Sequence, residues 1–228
     1  HVRRLEELGH TVRPSSSALL HAQDKAHMRK SFASINLPQP RWKVVTAVSE
    51  IDSYPVILKS ISGGYDGRGV RMVANQVEAQ TALTQWGSAL AEDLIGFDRE
   101  LSIMIARSPH DQVSTWVVTE TVQREGICTE TISPAPNLSD ATAFSAQQIA
   151  MAIAQHIGLV GVMAVELFDV GGTLLINEIA LRPHNSGHWS IEGATTSQFE
   201  QHIRAVLDLP LGSTALLSEW AVMGNVLG

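Results

Sequence analysis

Along most of the chain, apolar and polar residues alternate in short runs broken by glycine, proline and charged turns. A few longer stretches instead repeat every three to four positions. That second period marks helices. One is predicted from Lys25 to about Ile35, capped by Asp24, with Met28, Phe32 and Ile35 on one face and Pro38 beyond its end. Others run from Gln76 to Leu90 (Ala79, Leu83, Trp86, Leu90) and from Asp140 to Ile157 (Ile149, Ile153, Ile157), the latter stopped by Gly158. A fourth starts at the capping-box sequence Ser197-Gln-Phe-Glu200, is lined by Phe199, Ile203 and Val206, and ends at Pro210. The alternating runs predict strands at 43–48, 56–60, 70–73, 90–95 and 100–106, and a hairpin of 115–122 and 127–133 over Arg124-Glu125-Gly126. Residues 1–23 read as a helix end, a short strand around Thr11-Val12-Arg13 and a connector. Hairpins outnumber βαβ units, so the fold class is α+β.

The pattern is most unusual between Gly161 and Trp189. Two apolar runs joined by Gly171-Gly172 each carry one acid, Glu166 and Glu178. A carboxylate in an apolar run is costly to bury unless a charge meets it. A two-residue turn would pair Glu166 with Asn177 and send the two acids to opposite faces. A three-residue loop, Gly171-Gly172-Thr173, would pair Glu166 with Glu178, and two opposed carboxylates then require a cation. The shared-site reading therefore predicts the odd loop and Mg2+, with phosphates completing its shell. Two solvent-facing acids on a half-exposed hairpin are the competing reading.

Composition narrows the choices. With 228 residues, 44% hydrophobic and 17% charged, the chain can build a large core. Its net charge of −7 argues against a broad nucleic-acid surface. The single cysteine, Cys128, excludes an internal disulfide framework and a thiolate zinc cluster, and suits a reducing, cytoplasmic setting. No apolar run reaches the roughly 18–20 residues that span a bilayer. No signal peptide is visible, and both ends read as cuts within a longer sequence.

Two loops carry candidate chemistry. Gly63-Gly-Tyr-Asp-Gly-Arg-Gly69, with Lys59 just upstream, offers closely approachable backbone N–H groups and two bases to phosphate oxygens. An ordinary turn at Asp66-Gly67 is its plainer reading. Arg182-Pro-His-Asn-Ser-Gly-His188 packs a guanidinium, two imidazoles, an amide and a hydroxyl into one loop, suiting a small anion or polar substrate. The spacing of His184 and His188 also invites zinc, although Pro183 and Gly187 disfavour the helix that usually presents such a pair. A capped polar turn is the structural alternative. Glu92-Asp-Leu-Ile95 and Glu100 could serve a purine and a ribose, or form a charged edge strand.

Together, Gln23-Asp-Lys25, Lys59 with the glycine loop, Glu92 to Glu100, Gly126-Ile-Cys128, Asn177-Glu178, Arg182 to Trp189, Ser197 to His202 and Leu209-Pro-Leu-Gly212 resemble the ATP-grasp superfamily. Within it they resemble the 5-(carboxyamino)imidazole ribonucleotide synthase family, over about residues 23–212. The resemblance implies two α+β subdomains with antiparallel sheets sandwiching ATP: a remnant of an N-terminal substrate domain over 1–23, a lid subdomain over 24–97, a larger subdomain with the metal and substrate site over 98–212, and the start of a C-terminal domain over 213–228. It implies that Lys25 and Lys59 contact ATP phosphates and that Gly64, Tyr65, Asp66, Gly67, Arg68, Gly69 and Val70 close over them. Glu92, Asp93, Leu94 and Ile95 would form the adenine hinge, and Glu100 would hold the ribose. Gln123, often His in that family, would reach the nucleotide. Glu166 and Glu178 would ligate Mg2+ beside Asn177. Tyr65, Asp66, Arg68, Arg182, His184, Asn185 and Ser186 would surround bicarbonate and aminoimidazole ribonucleotide. The implied activity is ATP- and bicarbonate-dependent carboxylation of that ribonucleotide through carboxyphosphate, in purine biosynthesis, by a cytoplasmic homodimer. Another ATP-grasp ligase using an acyl phosphate, and a nucleotide-binding module without catalysis, are the alternatives. The segment alone is expected to bind ATP but turn over poorly.

Overall fold

Two antiparallel sheets divide the molecule. The structure is a computed structural model that describes residues 1–63, 69–124 and 126–226. The chain opens with α1 (Val2–Glu7), α2 (Ser16–Gln23) and α3 (Lys25–Ser34), the last two capped by the side chains of Ser15 and Asp24. A four-stranded sheet follows: β1 (Trp42–Val45), β2 (Val56–Ser60), β3 (Val70–Val73) and β4 (Ala89–Asp93), in the order β1-β4-β2-β3, with α4 (Gln76–Trp86) between β3 and β4. The larger sheet contains β5 (Arg99–Arg107), β6 (Val113–Thr115), β7 (Thr119–Arg124), β8 (Ile127–Ser133), then, after α5 (Asp140–His156), β9 (Gly161–Val170) and β10 (Thr173–Ala180). Two helices, α6 (Ser190–Gly193) and α7 (Gln198–Val206), precede β11 (Ala221–Gly224). The order is β10-β9-β5-β7-β8-β11, with β6 also on β5.

Alternation decides what each face of the large sheet does. Leu101, Ile103 and Ile105 of β5 and Met163, Val165 and Leu167 of β9 point into one core, against Ile149 and Ile153 of α5 and Met28 and Phe32 of α3. On the opposite face, Met104, Ala106, Val162 and Ala164 join Trp116 and Trp189 in a second core. Continuing along that second face, the side chains change from apolar to Ser102 and Glu100 on β5 and to Glu166 on β9. The functional groups therefore begin where the apolar layer stops.

Strand β10 keeps its place in this scheme by slipping phase. Gly171 and Gly172, both at positive φ, make a two-residue turn, so Thr173 pairs with Val170 and Ile176 with Leu167. A bulge at Asn177 then moves the register by one, and Glu178 pairs with Glu166. The expected pairing of the acids is present, but the three-residue loop expected to produce it is not. The cause is packing. Leu174 and Ile176 face the first core before the bulge, and Ile179 and Leu181 face it afterwards. Without the extra residue, those two would leave the core and Glu178 would enter it.

Other expectations need correction. Among the described residues no strand forms at 11–13, and 16–23 is a helix rather than a connector. The helix at 76 ends at Trp86, because Gly87 at positive φ caps it and Ala89 and Leu90 pair within β4. The expected strand 115–122 is two strands, β6 and β7. Helix α3, expected with the lid, packs into the large sheet's core, and β11 extends the large sheet by pairing with β8. Helix α7 leaves Phe199 and Ile203 exposed and buries Gln198 and Gln201. Both amide ends of Gln201 bond the backbone of Gly212, and those of Gln198 bond the backbone of His184. Apolar side chains there would strand buried backbone groups, at about 1–3 kcal/mol each.

Candidate active site

A cavity of about 640 Å³ lies between the sheets. Its wall includes Lys25, Lys59, Val70, Glu92 to Ile95, Glu100, Gln123, Glu166, Asn177, Glu178, Arg182, His184 and Asn185. Gly69 and Ser186 are not in that wall. Gly69 closes the base of the glycine loop, its carbonyl accepting from Ser60 N–H at 2.7 Å. The expectations for Gly64, Tyr65, Asp66, Gly67 and Arg68 lie outside the described residues.

The small-sheet wall is built on a buried ion cluster. Glu92, 2% exposed, takes Arg29 Nε at 2.6 Å on one carboxylate oxygen and Lys59 Nζ at 2.8 Å on the other. Burial alone would raise the Glu92 pKa. Lys59 and Arg29 outweigh it and hold the carboxyl below its ordinary range. Both its oxygens are engaged, so the side chain expected to help hold a nucleotide is committed to structure. Lys59 Nζ also donates to Asn177 Oδ1 at 2.9 Å. Lys25 starts α3, its N–H bonded to the Ile61 carbonyl at 2.9 Å and its Nζ 3.4 Å from Glu178 Oε2.

The large-sheet wall is acidic. Burial, then Glu178 and Glu100, raise the Glu166 pKa. Burial also raises that of Glu100, only partly offset by Lys59. Asn177 Nδ2 donates to Glu166 Oε2 at 3.3 Å, and His184 Nε2 lies 3.6 Å from Glu166 Oε1. The set offers oxygen donors to a hard dication. Among the described residues no group of three His, Cys, Asp or Glu side chains could hold a metal. The two acids fit Mg2+ if phosphate oxygens and water supply the remaining positions. The mutual repulsion that raises Glu166 is what a dication would relieve.

The loop after β10 folds tightly onto the sheet. A Cβ on Gly187 would sit 1.9 Å from Met104 Sδ and 2.7 Å from Gln198 Oε1, so any larger residue there would have to push both side chains aside. His184 Nδ1 meets the Ser186 hydroxyl at 2.9 Å and accepts from Ser186 N–H at 3.4 Å, which leaves its Nε2 proton facing Glu166. The Ser186 hydroxyl also meets Ser102 at 2.7 Å, so Ser186 orients His184 from behind the wall. His188 turns away from His184. Its Nδ1 accepts from Gln198 Nε2 at 2.9 Å and its ring stacks on Phe199, so the pair does not form a zinc site. Asn185 Nδ2 donates to the Cys128 carbonyl at 3.2 Å. Burial, with Glu166 and Glu100 nearby, pushes the Cys128 thiol to about 11, leaving it an inert part of the wall. Sequence reasoning did not reach Arg29, Gln198 or the stacked Phe97 and Phe168 beside the hinge, whose ring centroids are 4.7 Å apart. Only Phe168 had a local signal: it follows Glu166 by two on the same strand face.

Two sheets around a cleft lined by paired lysines and paired acids define the class: residues 30–199 match the ATP-grasp domain, and the chain belongs to the ATP-grasp family. Among curated relatives, it is 48% identical to the N5-carboxyaminoimidazole ribonucleotide synthase of Mycobacterium bovis, covering 96% of this chain and 54% of that protein. It is 42% identical to the synthase of Corynebacterium ammoniagenes, covering 100% and 59%. The chain thus spans little more than half the length of these relatives. Among solved structures, the Thermus thermophilus N5-carboxyaminoimidazole ribonucleotide synthetase superposes with a TM-score of 0.90 at 37% identity, over 99% of this chain and 63% of that one. An Aspergillus clavatus synthase in complex with ADP and 5-aminoimidazole ribonucleotide gives 0.91 at 30% identity, over 100% and 63%. Among the described residues no helix is long and apolar enough to cross a membrane.

Proposed function

We propose that this chain carries the ATP-grasp core of a 5-(carboxyamino)imidazole ribonucleotide synthase, an ATP- and bicarbonate-dependent carbon–nitrogen ligase of purine biosynthesis. The observation that carries the reading is the shared cavity: phosphate-type lysines, an acid pair and Arg182, His184 and Asn185 all border one space. Bicarbonate oxygen attacks the γ-phosphorus of ATP, giving carboxyphosphate and ADP. The exocyclic amine of aminoimidazole ribonucleotide then takes the carboxyl carbon, phosphate leaves, and the amine loses a proton. Lys25 and Lys59 bind the phosphates, the backbone of Glu92 to Ile95 receives the adenine, and Glu100 and Gln123 face the ribose. Glu166 and Glu178 would hold Mg2+, which when bound would supply charge neutralisation to the phosphates. Arg182, His184 and Asn185 face bicarbonate and the ribonucleotide, with Ser186 orienting His184. Tyr65, Asp66 and Arg68 complete that set from the glycine loop. Such chemistry needs positioning and preorganised charge more than covalent help. We also place the protein in the cytoplasm as a homodimer.

The test is ADP release by the full-length protein. It is expected to require bicarbonate and to be stimulated by aminoimidazole ribonucleotide. Bicarbonate-dependent release without that stimulation would assign another carboxylating ligase.

A further inference from the structure

Arg29 stands outside every motif, yet among the described residues it is the most completely buried charge near the cavity, with no solvent exposure. It rises from α3 and contacts both sheets. Nε bonds Glu92 of the small sheet at 2.6 Å; Nη1 and Nη2 donate to the carbonyls of Ile176 and Asn177 of the large sheet, each at 2.8 Å. Those carbonyls belong to the residues at which β10 slips register. Ile176 turns its backbone away from β9, its N–H bonding the Pro38 carbonyl at 2.9 Å, and the bulge sets the Asn177 carbonyl beside it; buried carbonyls without a ladder partner require a donor. The planar guanidinium supplies both bonds while its Nε holds Glu92, a spread of three contacts that the single nitrogen of a lysine cannot span.

We propose that Arg29 is a positioning residue: one end of its guanidinium maintains the Asn177 bulge that turns Glu178 toward Glu166, and the other, through Glu92, fixes Lys59. This rests on the ligase reading above. It separates two functions that share one side chain. The acid pair depends on the carbonyl contacts, and Lys59 depends on the carboxylate contact. Glu92 joins them, because its second oxygen holds Lys59.

The test compares R29K and E92Q in the full-length protein, with Mn2+ and ADP as probes. ADP binding is measured by calorimetry in chelator, and Mn2+ binding to the ADP complex by electron paramagnetic resonance. R29K keeps a cation for Glu92 but, with a single nitrogen, cannot hold Glu92 and reach both carbonyls as well. Its Mn2+ affinity is expected to fall about tenfold, with ADP affinity in chelator within about threefold of wild type. E92Q keeps the carbonyl contacts but loosens Lys59, so the reverse is expected: about tenfold weaker ADP, with Mn2+ within about threefold. General destabilisation cannot produce opposite losses. If both variants lose both affinities equally, or R29K leaves Mn2+ binding unchanged, the proposal is overturned while the ligase reading stands. If wild type itself binds no Mn2+ with ADP, the ligase reading fails and takes the proposal with it. Should R29K not fold, E92Q decides: a selective loss of ADP upholds the division, and an equal loss overturns it.

Discussion

Glu92 and Glu166 face the same cavity from opposite sheets, and their surroundings differ in sign. Glu92 is flanked by Arg29 and Lys59, and its carboxyl is held below the ordinary range. Glu166 faces Glu178 and Glu100 from a half-buried position, and its carboxyl is raised. On one wall two cations sit against a single carboxylate at 2.6 and 2.8 Å; on the other the acids have longer contacts, with Lys25, Asn177 and His184 at 3.4, 3.3 and 3.6 Å. The contrast distinguishes the two carboxylates more clearly than burial does, since both are largely enclosed.

The largest expected break in this contrast is Glu178→Gln. It keeps the shape of the acid pair but removes one ligand charge. Nucleotide turnover by the full-length protein should fall about a thousandfold, roughly 4 kcal/mol of transition-state stabilisation, while the far-ultraviolet circular dichroism and melting temperature stay close to wild type. Unchanged ADP release would remove Glu178 from the metal site. Next in size is Lys59→Met, which takes one of two cations from Glu92. With Arg29 still present, a loss of about 2 kcal/mol in urea unfolding is expected, below the figure for stripping a buried carboxylate of its only partner. Smaller, and opposite in sign, is Glu166→Gln. Removing a carboxyl whose charged form is disfavoured by burial and then by Glu178 and Glu100 should stabilise the metal-free protein by about 1 kcal/mol. Destabilisation by both substitutions would erase the difference between the walls.

His202 provides the smallest effect, and a control away from both walls. Its Nδ1 accepts from Val162 N–H at 3.1 Å, and burial lowers its pKa. In the unfolded chain the imidazole takes up a proton near pH 6.5, while the folded chain resists until lower pH. Its contribution is therefore fully present above about pH 6.5 and declines as pH falls toward the folded value. Thermal melts should lose a few degrees over that interval, and His202→Gln, which retains an acceptor, should flatten the loss. Equal acid sensitivity in both proteins would assign the effect elsewhere.

The architecture was largely legible because it follows from local pattern. Asp24, Ser197 and Gly158 mark their helix ends, and the alternation along 161–181 gives the central hairpin. Even the bulge has a sequence signal: the apolar positions change from Leu174 and Ile176 to Ile179 and Leu181, a shift of parity at Asn177. Counting turn residues alone could not reveal it. Arg29 left no such trace. Its partners lie 63, 147 and 148 positions away, so only the assembled sheets define its environment. The buried glutamines of α7 were hidden for a related reason, since apolar periodicity cannot register which loop backbones a helix must satisfy. The exposed Phe199 and Ile203 made the opposite face look like the inner one.

The slipped strand also constrains how the hairpin can change length. Surface turns ordinarily accept insertions of any size. Here, an odd number of residues must separate Glu166 from Glu178 while the turn contains two, with Asn177 as the uneven one. Lengthening both strands by one residue preserves the meeting of the acids. A single insertion at the exposed Gly171-Gly172 tip preserves it only if the turn takes up the extra residue and the pairing of Val170 with Thr173 below it stays fixed. If the extra residue enters a strand instead, a residue must be lost at the bulge in compensation, so length changes within the strands should come in paired steps under a counting rule set in the cleft.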